Sequence, residues 1–272
     1  MKSSIVKVVV PSMAACIAAL AVGAGASADP IPHNYKPLTM PSQCPPNTGY
    51  NGVTGTTGYN YIIGTDGEDG DLTGTNGPDF IEGLGAKDTL NGLDGNDCLR
   101  GGDAADVLNG GLGNDYLYGG QGEDDISGDG GSDYISAGDN NDIVDGGIGH
   151  DRIWGGPGFD ELSGGDGSDY ISGGSGGDFI SGGEDGDKIW GNSGRDFLNG
   201  GDGDDVIYGG SGNDKITAGS GNDLVYGGSG NDSIDAVDNE VDSIHCGSGF
   251  DTVRADRIDH VAKDCEHVNW IP

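Results

Sequence analysis

"GGLGNDYLYGGQGEDDIS", residues 110–127, is one nine-residue phrase written twice. In each copy glycine holds the first, second and fourth places, aspartate the sixth and an aliphatic residue the eighth. Counted outward in nines from Gly74, the sixth place holds Asp79, Asp88, Asp97, Asp106, Asp115, Asp124, Asp133, Asp142, Asp151, Asp160, Asp169, Asp178, Asp187, Asp196, Asp205, Asp214, Asp223 and Asp232, 18 of 18 without a slip. The eighth place, from Ile81 to Ile234, is Ile, Leu or Val in all 18, while glycine fills the first place in 16 and the fourth in 14. Repetition at a fixed period marks an array of identical structural units.

Composition alone points elsewhere. The chain has 272 residues with 58 Gly, 46 acidic and 12 basic side chains, a formal net charge of -34. Such a chain ordinarily stays disordered, having too little apolar surface to bury. Drift in a low-complexity sequence does not keep two chemically different positions in step, so disorder is a poor account of this array. The acidity argues against nucleic acid and anionic membrane surfaces as partners. Residues 1–28 read as an export signal: Lys2 and Lys7, an apolar run from Ile5 to Ala24, then Ala26-Ser27-Ala28 as a small-residue cleavage site. No other segment approaches the roughly 20 apolar residues of a membrane span. The expected product is a soluble, secreted protein with no transmembrane segment.

The array from 74 to 235 resembles the repeats-in-toxin (hemolysin-type) family, whose nonapeptide G-G-x-G-x-D-x-U-x is a calcium-binding parallel β-helix repeat. The resemblance implies an all-β fold, a parallel β-roll in which two nonapeptides make one turn. It also implies a six-residue metal loop, a three-residue strand, and Ca²⁺ held between neighbouring loops on one edge. The residues make physical sense of this. Glycine permits positive φ and close backbone approach in a tight loop. Ca²⁺ takes six to eight oxygens, from carboxylates and backbone carbonyls alike. With a period of two, the sixth-place Asp and eighth-place aliphatic face the same inner side. Nine turns would stack nine loops on each edge, with room for up to about 16 ions, or about +32. Loss of two signal lysines takes the chain from -34 to -36, so such a load nearly neutralises it.

The pattern has departures. Ala86, Ala104, Asn140 and Asp185 replace the fourth-place glycine, and Leu84, Leu93, Asp129 and Asn192 the second; these loops are expected to be the weakest calcium sites. Upstream, Gly64 to Leu72 and Gly55 to Ile63 are degraded copies. Downstream, "AVDNEVDSIH" carries one extra residue before Asp242 and Ile244 resume the cadence, followed by Asp251 and Val253. Solenoid ends need atypical capping units. The expected organisation is a signal at 1–28, an N-terminal cap at 29–73, the roll at 74–235 and a C-terminal cap at 236–272. The tail from Cys246 to Val268 is similar to the ending of exported actinobacterial calcium-binding proteins. Toxin and protease members generally use a C-terminal export signal instead, so the N-terminal signal here argues against toxin activity.

Four cysteines follow the signal: Cys44, Cys98, Cys246 and Cys265. An even number in an exported chain favours disulfides. Of three possible pairings, Cys246–Cys265 would close the C-terminal cap and Cys44–Cys98 would tie the N-terminal segment to the roll. The alternative is zinc held by His245, Cys246, Cys265 and His267. Gly173 to Gly177 formally matches the hydrolase elbow G-x-S-x-G, but lies in a metal loop without the strand, helix and paired His that the chemistry requires. Asp66 to Asp71 begins like an EF-hand but lacks the glutamate at its twelfth place. No catalytic residue emerges, and no enzyme is expected.

Seventh and ninth places should face outward, with alternate repeats on opposite sheets. Odd repeats carry Phe80, Tyr116, Tyr118, Tyr134, Trp154, Tyr170, Trp190, Tyr208 and Tyr226 there; even repeats carry Phe179 and Phe197. Such a row either stabilises itself by stacking or offers a platform for cell-wall glycan or a partner protein. The expected function is therefore a non-catalytic calcium-binding repeat protein, with calcium-dependent adhesion as the alternative. Ice binding would call for a regular row of Thr, and the third place, with Leu112, Ile148 and Pro157, is too mixed.

Overall fold

The computed structural model describes residues 59–272. These residues form twenty-four strands, from β1 (Asn60–Ile63) to β24 (His267–Ile271), with no helix among them. Odd-numbered strands make one twelve-stranded parallel sheet and even-numbered strands the other. Each pair of repeats is thus one turn of a parallel β-roll, and residues 18 apart stack: Ile153 on Ile171, Leu162 on Ile180. The roll has about twelve turns and, at roughly 4.8 Å per strand, runs about 50 Å.

The core follows from the period of two. Sixth, eighth and first places turn inward, so each repeat supplies a buried Asp, a buried aliphatic and a small residue, mostly glycine. The aliphatics from Ile81 to Val253 form one continuous ladder per sheet. That core is only one large side chain deep from each side. It tolerates nothing larger than Ala or Cys at the first place in the described turns, where Ala137, Ala218, Ala236, Cys246 and Ala255 are fully buried.

Strands are longer than the resemblance implied. Tyr116–Gln121 and its counterparts are six residues, from the seventh place through the third of the next repeat, leaving a bend of three. The reason is register: identical repeats at a constant offset stack each place on itself, so pairing continues through Gly156↔Gly174 and Pro157↔Ser175 until the bend. The first-place glycine also has a narrower role than expected. It is not left-handed; a Cβ on Gly92 would stand 2.3 Å from Gly110 O and 2.5 Å from Asp97 Oδ2. Close approach is what keeps that place small.

Second and fourth places do carry positive φ, as at Gly111 (102°) and Gly113 (140°). All eight departures named above keep it: Leu84 (85°), Ala86 (67°), Leu93 (80°), Ala104 (82°), Asp129 (64°), Asn140 (89°), Asp185 (70°) and Asn192 (72°). Stacking on neighbours of the same shape holds these residues in a region that costs an L-residue on the order of 1–2 kcal/mol.

The ladders run past residues 74–235 on both sides. Asn60 pairs with Asp79 and Leu224 with Ser243, each at an offset of 19 that absorbs one extra residue. At the C-terminal end Cys246 and Cys265 form a disulfide. This overturns the zinc alternative: Cys246 turns into the core, whereas His245 faces outward onto Tyr226 at 5.0 Å and His267 meets Phe250 at 4.6 Å. Adjacent residues on a strand face opposite ways, so His245 and Cys246 cannot share one ion. Cys44 lies outside the described residues, and its expected partner Cys98 is fully buried despite its seventh-place position.

Candidate metal-binding edges

Two files of aspartate run along the roll, one on each edge. Each sixth-place Asp ends a bend and is at most 2 % exposed. From Asp88 onward its Oδ1 accepts the backbone N–H of the aspartate one turn earlier: Asp97 from Asp79 at 2.8 Å, Asp115 from Asp97 at 2.7 Å, Asp151 from Asp133 at 2.7 Å. The extra residue downstream is absorbed, since Asp242 and Asp251 take the N–H groups of Asp223 and Asp232 at 2.9 and 2.8 Å. All twenty expected aspartates, Asp79 to Asp232 with Asp242 and Asp251, therefore stand in two stacks.

Their second oxygens differ. Oδ2 of nineteen of these twenty, from Asp88 to Asp251, is buried without a hydrogen-bond partner. Asp79 is the exception, with Thr75 donating to Oδ2 from its N–H at 2.6 Å and its hydroxyl at 3.0 Å. A buried carboxylate oxygen left unpaired is costly. Burial accordingly raises these groups above the ordinary carboxylate range: Asp97, Asp124 and Asp151 to about 6, Asp115, Asp142 and Asp232 to about 7, Asp133 and Asp187 to about 8. The backbone hydrogen bond to each opposes the rise, and like charge one turn away adds to it. Asp129 and Asp185, two of the departures, lie among the charges that raise Asp133 and Asp187. Each file is thus a row of acids that favours a positive partner.

Among the described residues no three His, Cys, Asp or Glu side chains converge as a metal cluster. A cation on these edges would depend on backbone oxygens beside one carboxylate per loop. Fourth-place carbonyls crowd the same edge: a Cβ on Gly113 would lie 1.3 Å from Gly95 O, and one on Gly131 1.4 Å from Gly113 O. Carboxylate and carbonyl oxygens are the donors a hard cation such as Ca²⁺ takes. The residues fit the ion.

The stacks end on acids that nine-residue counting does not reach. Asp259 Oδ1 accepts from Asp242 N–H at 3.1 Å, and Glu266 Oε2 from Asp251 N–H at 2.9 Å. Their offsets of 17 and 15 break the period. At the other end Asp69 donates its N–H to Asp88 Oδ1 at 2.9 Å, so the degraded copy keeps its rung.

The odd-sheet aromatics contact one another, tilted by 46° and 43° at Tyr116–Tyr134 and Tyr134–Trp154 and stacked from Tyr170 to Tyr226. Ring centroids are 5.7 Å apart for Tyr116–Tyr134, 4.9 Å for Tyr134–Trp154, 6.0 Å for Tyr170–Trp190, 5.6 Å for Trp190–Tyr208 and 4.9 Å for Tyr208–Tyr226. Tyr118 and most of the row are half-buried, and Phe80 is fully buried although its place faces outward. Ser175, the serine of the elbow-like motif, ends a strand before a three-residue bend, with no helix following.

A model of the RTX calcium-binding nonapeptide repeat matches residues 71–99, 92–126, 100–135, 118–153, 145–180, 181–216 and 199–234, more than half of the chain. No match emerges among curated proteins. Among solved structures the chain is similar to a hyperactive, Ca²⁺-dependent, β-helical antifreeze protein from an Antarctic bacterium. The identity is 20 % and the TM-score 0.38, over 81 % of this chain and 95 % of that one.

Proposed function

This chain belongs to the RTX calcium-binding nonapeptide repeat family, and from that membership we propose that it is a secreted, non-catalytic protein that folds as its aspartate edges bind extracellular Ca²⁺. One observation carries the reading: nineteen buried carboxylate oxygens in two stacks have no protein partner. Asp79 to Asp232, with Asp242 and Asp251, are the proposed side-chain ligands, with fourth-place carbonyls beside them and up to about 16 ions in all.

Linkage supplies the mechanism. Ions that bind only the stacked array stabilise it by mass action, so folding and binding are one event. In a low-calcium cytoplasm the self-repelling chain stays open for export through the general secretory route. Outside, it stacks turn upon turn. The single aliphatic ladder per sheet is too thin to hold so many buried acids without compensating charge.

Calcium titration followed by circular dichroism, with a bound-ion count on the folded product, tests this. The expected result is a cooperative rise of strand signal with many ions per chain. A metal-free chain at neutral pH with the same strand content would sink the reading. For the odd-sheet aromatics, mutual stacking favours a stabilising role over adhesion.

A further inference from the structure

Each sheet ends on a strand with one neighbour. Among the described residues β23 (His260–Val261) pairs only with β21 (Ser243–Ser248), and β24 only with β22 (Thr252–Asp256). The N–H of His267 donates to Asp251 O, so by alternation the backbone groups of Val268 and Trp270 point away from the roll. Such an edge is a template for another strand, and β24, HVNWI, contains no lysine, proline or bulge to blunt it. Its apolar surface is open as well. Val268 and Trp270 lie in register with Val253 and Ala255, at places that face inward. The place of Trp270 holds Gly, Ala or Cys in the earlier turns, with Ala236 and Ala255 the last on this sheet. A side chain so large does not fit between the sheets, and Trp270 is 46 % exposed. Val261, Cys265 and Val268 pack against the core only partly buried.

Register and charge together select the occupant. We propose that this end of the roll binds a second copy of the chain, β24 against β24. A two-fold axis through Asn269 sets the two strands antiparallel and places Val268 opposite the partner's Trp270. Val268 and Trp270 are the residues whose N–H and C=O groups face outward, so that register makes them hydrogen-bonded pairs. Each Trp270 then covers the open core of the other copy. Charge permits contact here and opposes it elsewhere. Residues 257–272 carry two basic groups, Arg257 and Lys263, and three acidic ones, Asp259, Asp264 and Glu266, with His260 and His267 besides. All three acids already accept backbone N–H groups. On the flank, by contrast, the exposed acids Asp166, Glu184 and Asp202 stand in register on successive even strands. They lie outside the proposed calcium ligands, so side-by-side approach of two copies meets like charge.

The contact exists only in the wound roll and so rests on the calcium-dependent fold, which circular dichroism verifies separately for each variant. Sedimentation velocity of the intact chain in calcium should show a concentration-dependent species of twice the chain mass, with hydrogen exchange at residues 267–271 slowing as it forms. Trp270→Lys, which sets like charges into the contact, should weaken dimerisation at least tenfold. Trp270→Pro should do the same, since it removes an N–H that β22 does not use. R257E/K263E leaves the strand and the core intact, makes the end uniformly acidic and should also weaken dimerisation. Phe179→Ala, on the outer face, should dimerise unchanged. The proposal is overturned by a folded chain that stays monomeric, by open-ended assemblies, by dimers that persist in the folded Trp270 or charge variants, or by protection of 267–271 in a monomer or only with a different protein. A chain that proves folded without calcium would remove the proposed function while leaving this assay readable.

Discussion

The middle of the roll and its C-terminal end solve the same problem differently. From Asp88 to Asp251 each buried aspartate uses one oxygen on the backbone and leaves the other unpartnered. Beyond that, Asp259 spends both oxygens, on the N–H groups of Asp242 and Asp256, and Asp256 Oδ2 takes those of Asp238 and Asn239. The Cys246–Cys265 disulfide then closes the last turns covalently. The array leaves one oxygen of each acid without a hydrogen bond from the chain, whereas Asp259 in the cap has both oxygens satisfied by the chain's own groups. Stability should accordingly be metal-dependent in the array and redox-dependent at the end.

The largest expected effect is the one that separates these regions. Exhaustive chelation at neutral pH should abolish amide protection throughout residues 79–232, read by hydrogen exchange with mass spectrometry, while the disulfide stays intact. Equal protection with and without metal would erase the contrast. Next is Gly113→Ala, which drives a Cβ to 1.3 Å from Gly95 O at a φ of 140°. It should cost about 3 kcal/mol or more in calcium. Gly130→Ala, whose nearest atom is 3.4 Å away, should be close to neutral. Comparing the two in denaturant shows whether close stacking is needed.

C246S/C265S should cost about 3 kcal/mol for a loop of this span, with the loss of protection confined to residues after 236. A uniform loss would mean that the cap nucleates the whole roll. Acid acts on the metal-free roll alone. Folded-state pKa values of about 6 to 8 lie above those of an unfolded chain, so the metal-free roll binds extra protons. Its stability is greatest below about pH 4 and is lost as pH rises through 6 to 8. Partial strand signal without calcium at pH 4.5, absent at pH 8, is the expected result, and protons should compete with calcium across the same range. Calcium affinity that does not change between pH 5 and 8 would contradict burial as the cause.

Much of this was legible before any coordinates. A period of nine with Asp and an aliphatic in step predicts two residues per repeat facing inward, while the family resemblance implies structural neighbours 18 apart, as Asp97 and Asp115 are. The eight departures at second and fourth places were visible too, although not that each keeps positive φ. Where spacing breaks, counting fails. Asp259 and Glu266 close the two stacks from offsets of 17 and 15, and no local pattern marks them.

The amino-acid order by itself determined the period, the inward places and the need for positive charge, because a regular repeat states the same local preference again and again. Only the tertiary structure decided how far each strand runs, which carboxylate oxygen the backbone takes, why the first place stays small, and that Phe179 is the more exposed of a stacked ring pair. Those depend on what lies one turn away, and that distance exists only once the chain has wound.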